Sequence, residues 1–219
     1  MFGMDQNKTQ EERILTPEDA GVGVIVSPDT RRENRVPPGQ SRTRKWPILD
    51  ASGAPPIALE NWRFSIGGLV AQPKSWNWDE FQALERVKVF ADFHCVTHWS
   101  RLGNVWEGVS TRKLLELAGG ALEGSEYVLV RGHDAGFTTN LPLAEFLAED
   151  ALVAFLHDGQ PLSEEHGWPA RLIVPRLYAW KSAKWVAGAE LMARDKAGFW
   201  ERNGYHMHGD PWKEERFGW

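Results

Sequence analysis

Residues 87–100 read Val87-Lys88-Val89-Phe90-Ala91-Asp92-Phe93-His94-Cys95-Val96-Thr97-His98-Trp99-Ser100. The first nine positions are dense in β-branched and aromatic side chains, which suits a buried strand. That strand hands the only cysteine of the chain to its C-terminal end, where rigid elements commonly present residues to a site. Two histidines and a tryptophan stand within four positions of the thiol.

Working outward, Trp62, Phe64 and Ile66 alternate with polar residues before Gly67-Gly68 breaks the run, which predicts a strand and a turn. Asp79 to Lys88 sets Phe81, Leu84 and Val87 on one helical face, so a short helix leads into the quoted strand. Beyond it, Thr111 to Ala118 reads as a helix with Ser110 as N-cap and Gly119-Gly120 as its stop. The runs 126–130, 151–156, 171–174 and 184–191 read as strands, punctuated by Gly132, Asp158-Gly159 and Pro175. Two or three helices among eight or so strands predict an α+β fold of mixed β-sheets. Residues 1–34 carry no clear period and form an N-terminal extension, while 35–219 read as one domain. That domain opens on a proline-rich stretch, 34–60, expected to wrap it as an extended arm with little regular structure.

Composition narrows the function classes. A chain of 219 residues with 42% apolar and 25% charged residues supports one sizeable core, and twelve tryptophans imply broad aromatic packing or a lined pocket. A net charge of −5 argues against a protein that lives on phosphate backbones, so no nucleic acid is expected. A single cysteine forms no internal disulfide, and no stretch approaches the ~20 apolar residues of a membrane span. Arg31-Arg32 is followed by a charged, proline-rich run and not by the apolar segment of an export signal, so the cytoplasm is the expected compartment.

Cys95 admits several chemistries. A lone buried cysteine can be a small core side chain. Beside His94 and His98 it could be a hydrolase nucleophile, although no motif fixes an orienting partner. It could join His94, His98, His206 and His208 around zinc, yet no second cysteine pair has a zinc spacing and neighbouring strand residues face opposite ways. Or it could be the one protein thiolate on a soft metal already held by another group. The last reading needs a second anchor, and His166 to Trp185, "HGWPARLIVPRLYAWKSAKW", offers one. Its Arg171, Arg176, Lys181, Ser182 and Lys184 form a compact cationic loop suited to an anionic, phosphorylated ligand.

These blocks together resemble the molybdopterin-binding domain of the sulfite oxidase-like oxidoreductases. "DFHCVTHWS" with "VWEGV" (105–109) looks like that family's Cys-Val-x-x-Trp-Ser and Trp-x-Gly signature. "GFTTNLPL", "HDGQPLSEEHGWPARLIVP", "WKSAKW" and "GFWERNGYHMHGDPW" follow in the family's order, over about residues 35–213. The resemblance implies molybdenum carried on molybdopterin, with Cys95 as its protein ligand. It implies that His166 and Arg171 grip the pterin and its phosphate, that Ser182, Ala183 and Lys184 contact the cofactor with Lys181 beside them, and that Tyr205 is an active-site tyrosine. The implied activity is oxygen-atom or electron transfer on a small sulfur- or nitrogen-containing substrate, with an electron-transfer partner outside the chain. His94, His98, His206 and His208 are candidates for proton relay near such a metal. Sulfite oxidases carry an arginine shortly after the cysteine; here Ser100 takes that place and Arg101 follows. The "CVxxWS" block looks closer to the bacterial protein methionine-sulfoxide reductases of the same fold. The alternative is a non-catalytic binding or interaction module that retains the fold.

Overall fold

The computed structural model describes residues 14–134 and 136–218. In chain order its elements are β1 (Ile25–Val26), β2 (Ser41–Arg42), β3 (Arg63–Gly68), β4 (Lys74–Asn77), α1 (Trp78–Gln82), β5 (Val87–Cys95), β6 (Trp99–Ser110), α2 (Thr111–Leu117), β7 (Tyr127–Gly132), β8 (Thr138–Pro142), α3 (Leu143–Phe146), β9 (Leu152–His157), β10 (Gln160–Pro161), β11 (Arg171–Ile173), β12 (Val186–Met192) and α4 (Phe199–Arg202). Short 3₁₀ turns fill several of the gaps.

The strands form two sheets. One runs β1-β5-β6-β9-β10, with β11 on β9 and β2 on β6; the other runs β4-β3-β12-β7-β8. Pairs β1/β5, β2/β6 and β3/β12 are parallel and the rest antiparallel, so the sheets are mixed as expected. The largest core lies between the sheets: Phe64, Val128 and Leu191 from one meet Val109, Val153 and Phe155 from the other. On the opposite face of the first sheet, Val89, Ala91, Trp106 and Leu152 pack under the loop residues Trp46 and Trp168 and under Trp99 at the start of β6. Strand β9 shows why it reads as a continuous apolar run: Val153 and Phe155 serve one cluster while Leu152 and Ala154 serve the other.

Several local expectations meet a physical outcome here. The helix expected over 79–88 is only α1, because Asn77 and Glu80 cap its start reciprocally (Glu80 N to Asn77 Oδ1, 2.9 Å; Asn77 N to Glu80 Oε2, 2.8 Å) and β5 claims Val87 onward. Helix α2 starts after Ser110, whose side chain makes no capping bond, and stops at Gly119 and Gly120, both at positive φ. The N-terminal extension is tied into the domain: Ile25 and Val26 pair with Val89 and Phe90 of β5. The proline-rich arm is largely irregular, apart from β2 on the start of β6. Among the described residues no helix is long and apolar enough to cross a membrane.

Candidate functional site

Strand β5 ends in a tight turn onto β6, closed by His98 N donating to Cys95 O (3.1 Å), with His98 at φ 68°. The pleat turns neighbours apart. His94 faces inward, its Nδ1 2.8 Å from Ser100 Oγ and its ring edge-on to Trp212, and burial pushes its pKa down to about 4. Cys95 faces the other way, into a cavity. Its thiol lies 3.2 Å from Thr97 Oγ1, and burial raises its pKa against the opposing effect of that contact. Around it stand Val96, Tyr178 and Trp180, with Trp99, Trp200 and Tyr205 packed against them.

Strand β11 brings Arg171 to the same cavity. The side chain is 3% exposed and its guanidinium donates to His166 O and Ser182 O, both at 2.9 Å, while Nε has no partner. Among the described residues no carboxylate pairs with it. Instead Trp46, Phe93 and Trp106 surround it with ring faces at 5.4, 5.3 and 6.0 Å. Burial drives its pKa down to about 9, with the nearby Cys95 pulling the other way. A buried cation without an anionic partner is costly, and here it is aimed into a space a ligand can fill.

The remaining walls follow from the turns around β11. His166 stacks on Trp46 (centroids 3.8 Å apart), its Nε2 3.1 Å from Trp46 O and its Nδ1 2.8 Å from Ser163 Oγ. Burial lowers its pKa, so the ring is neutral near pH 7. Ser182, Ala183 and Lys184 follow the 3₁₀ turn Ala179–Lys181; Lys184 Nζ donates to Glu165 O (2.8 Å) and sits 3.3 Å from Asp50 Oδ2. Burial and Arg171 both lower its pKa. Tyr205 stacks on Trp200 and meets Trp180 edge-on, and burial raises its pKa, so its hydroxyl stays protonated near neutrality.

Cys95, His166, Arg171, Ser182, Ala183, Lys184 and Tyr205 therefore line a single cavity of about 920 Å³, part of it open to solvent. Lys181 is the exception. Its side chain is fully buried outside that lining and bonds Glu201, Asn140 and Met207 O, because the 3₁₀ turn points it into the protein while Ser182 and Lys184 face the cavity. Arg176 likewise pairs with Asp150. His94, His98, His206 and His208 are not in the lining: His98 Nδ1 contacts Gly39 O (2.7 Å), and His208 sits between Glu215 and Glu145. Ser100 holds His94, and Arg101 pairs with Asp158 at 2.8 Å, so neither adds a cation beside the thiol.

Sequence reading missed the walls contributed by the arm and by Asp134. Trp46, Pro47, Leu49, Asp50 and Ala51 all line the cavity. Asp134 lines it too; its Oδ2 accepts from Ser52 Oγ (3.1 Å), its Oδ1 has no partner, and burial raises its pKa. The available signal was a Trp-Pro-x-x-Asp run inside an otherwise polar arm. An anion-seeking guanidinium, a second cation, an unpartnered carboxyl oxygen and a soft thiol in one cavity fit a phosphorylated, metal-carrying heterocycle.

Comparison with known proteins shows the family. A family model described as the oxidoreductase molybdopterin binding domain matches residues 51–200. The chain is 45% identical over 189 residues to the uncharacterized oxidoreductase YuiH of Bacillus subtilis, a match spanning 86% of this chain and 94% of that one. It is 25% identical over 182 residues to sulfite oxidase of Arabidopsis thaliana, spanning 68% of this chain and only 46% of the plant protein. Among solved structures, the sulfane dehydrogenase SoxCD from Paracoccus pantotrophus matches with a TM-score of 0.59 at 21% identity, over 67% of this chain and 45% of that one. That last likeness is one of fold.

Proposed function

We propose that this chain, a member of the oxidoreductase molybdopterin-binding domain family, holds one molybdenum through the Cys95 thiolate and transfers oxygen atoms or electrons on a small sulfur- or nitrogen-containing substrate. Family membership makes it a molybdopterin-dependent oxidoreductase of the sulfite oxidase-like kind. The observation that supports the finer reading is the meeting of a free thiol and an unpaired buried guanidinium in one cavity.

When bound, the molybdenum–pterin group supplies two-electron redox chemistry and oxygen-atom exchange, while the protein binds and orients it. Arg171 and Lys184 neutralise the anionic phosphate, as forked and point cations do. The neutral His166 ring, fixed by Trp46 O and Ser163, presents a flat face with Trp46 behind it. Cys95 would hold the metal as a thiolate, the burial that raises its pKa being offset by the metal's charge. Trp180, Trp200 and Tyr205 shape the space beside the thiol and limit water there. The Tyr205 hydroxyl, protonated at neutral pH, can donate a hydrogen bond to an oxygen atom moving to or from substrate. Arg101 is turned away to Asp158, so an anionic substrate finds no grip at that position.

The test is metal analysis of protein expressed in a host that makes the cofactor. About one molybdenum per chain is expected, and Cys95→Ser is expected to fold yet lose most of it. Well-folded wild-type protein without molybdenum under those conditions overturns the proposal.

A further inference from the structure

This acidic chain carries one concentrated basic stretch. Its net charge is −5, yet residues 31–45, RRENRVPPGQSRTRK, hold six Arg or Lys and a single Glu. Within the fold, Arg35 grips the buried Asp92 (2.5 and 2.9 Å), and Arg32 pairs with Asp29 and lies 4.0 Å over the Trp212 ring. Arg42, Arg44 and Lys45 are exposed and nearly consecutive.

Their segment is fixed beside the site. Ser41 and Arg42 pair with Trp99 and Ser100, just past Cys95, and Thr43 N donates to Ser100 O at 2.9 Å. The next residue after Lys45 is Trp46, which enters the cavity wall and stacks on His166. Ile48 and Leu49 follow, 52% and 51% exposed, and Leu49 is itself part of the wall. A basic rim thus adjoins a small apolar patch at the edge of the proposed redox cavity.

We infer that this strip, Arg42 to Leu49, is the docking surface for a small acidic one-electron carrier protein. The inference rests on the proposed molybdenum function. Opposite charge steers encounter and sets orientation, while a small apolar patch suffices for the brief contact typical of redox partners. In the reducing direction, two reduced carriers are oxidised for each oxygen atom removed from an oxide, and that oxygen leaves as water with two protons from solvent. A lipid surface suits the strip less well. It has no amphipathic helix to lie in the interface, and its exposed apolar side chains are only Pro47, Ile48 and Leu49.

Stopped-flow reduction of the molybdenum-loaded full chain by a reduced acidic [2Fe–2S] ferredoxin tests this, with the small neutral reductant duroquinol as reference. The ferredoxin rate is expected to fall about tenfold with added NaCl, and by about as much in Arg42→Glu/Arg44→Glu/Lys45→Glu. The charge-preserving Arg42→Lys/Arg44→Lys/Lys45→Arg is expected to keep it, and duroquinol rates are expected to be unchanged in both. Ferredoxin rates indifferent to salt and to charge reversal overturn the inference. So does charge-dependent binding to phosphatidylserine vesicles with ferredoxin rates unmoved. Wild-type protein that lacks molybdenum and ignores duroquinol overturns the proposed function, and this inference with it.

Discussion

Lys181 Nζ lies 2.6 Å from Glu201 Oε1, and neither side chain reaches solvent. The same carboxylate oxygen accepts from Trp180 Nε1 (2.9 Å) and Thr139 Oγ1 (3.0 Å), so one atom joins β8, the 3₁₀ turn and α4. Trp180 and Trp200, each adjacent in sequence to a member of the pair, are walls of the cavity. The pair therefore fixes the aromatic end of the site from behind, without touching what the site holds.

Breaking that pair leaves a buried charge alone. Lys181→Met or Glu201→Gln is expected to lower stability by about 3–5 kcal/mol, and the double variant Lys181→Met/Glu201→Leu by clearly less than the sum. Urea unfolding at neutral pH measures all three. Equal losses in the double and the sum of the singles would mean that the two groups do not interact.

Arg171 behaves in the opposite way. Arg171→Met removes a buried charge that has no carboxylate partner, at the expense of two hydrogen bonds to carbonyls. Stability of the cofactor-free protein is expected to shift by no more than about 1 kcal/mol, while the molybdopterin retained on purification drops at least about tenfold. Fluorescence assay of released, oxidised pterin reads the second quantity. Full retention of pterin would remove Arg171 from the anion grip.

His157 makes the fold acid-sensitive. Its ring packs at 4.5 and 4.4 Å from Trp46 and Trp106, with Arg101 Nη1 2.9 Å from Nε2, and burial pushes its pKa down to about 4. Between pH ~6.5 and about 4 the unfolded chain binds a proton that the folded chain refuses, so stability falls as pH falls through that window. The contribution is about 3 kcal/mol, at ~1.4 kcal/mol per pKa unit. His157→Gln should lose correspondingly less between pH 7 and pH 4.5 in urea titrations, and an unchanged pH slope would contradict the assignment.

Gly209 holds φ at 85°, and a Cβ there would stand 2.7 Å from Cζ2 of Trp180. Its carbonyl accepts from Tyr178 N (2.8 Å), so the backbone has little room to yield. Gly209→Ala is expected to cost about 1–2 kcal/mol and to tilt the Trp180 ring, altering near-ultraviolet circular dichroism and raising KM more than it lowers kcat.

Strand β5 and its cysteine were legible because a dense apolar run ending at a tight turn has few other solutions. Its partner β6 was not: Arg101, Gly103, Asn104 and Glu107 interrupt it, and its strand state comes from pairing with β5 and β9 on either side. Gly108 shows the same tertiary control, since a Cβ there would lie 2.0 Å from Val153 O. Seven of the eight site residues expected from family spacing meet in the cavity, because spacing along β11 and the turn after it survives folding. Lys181 did not, since residue type cannot reveal which way a turn points a side chain. The contact of Trp46 with His166 bridges 120 positions, and no local pattern announces it.

The cavity is closed along one side by a segment fastened by backbone bonds at Ser41–His98 and Thr43–Ser100, by side-chain bonds at Gln40–Cys95, Asp50–Lys184 and Ser52–Asp134, and by the packing of the Trp46 indole. A stretch with so little strand pairing opens at lower free energy than the sheets beneath it. Entry of a bulky occupant is therefore expected to need local opening of this wall only, with both sheets intact.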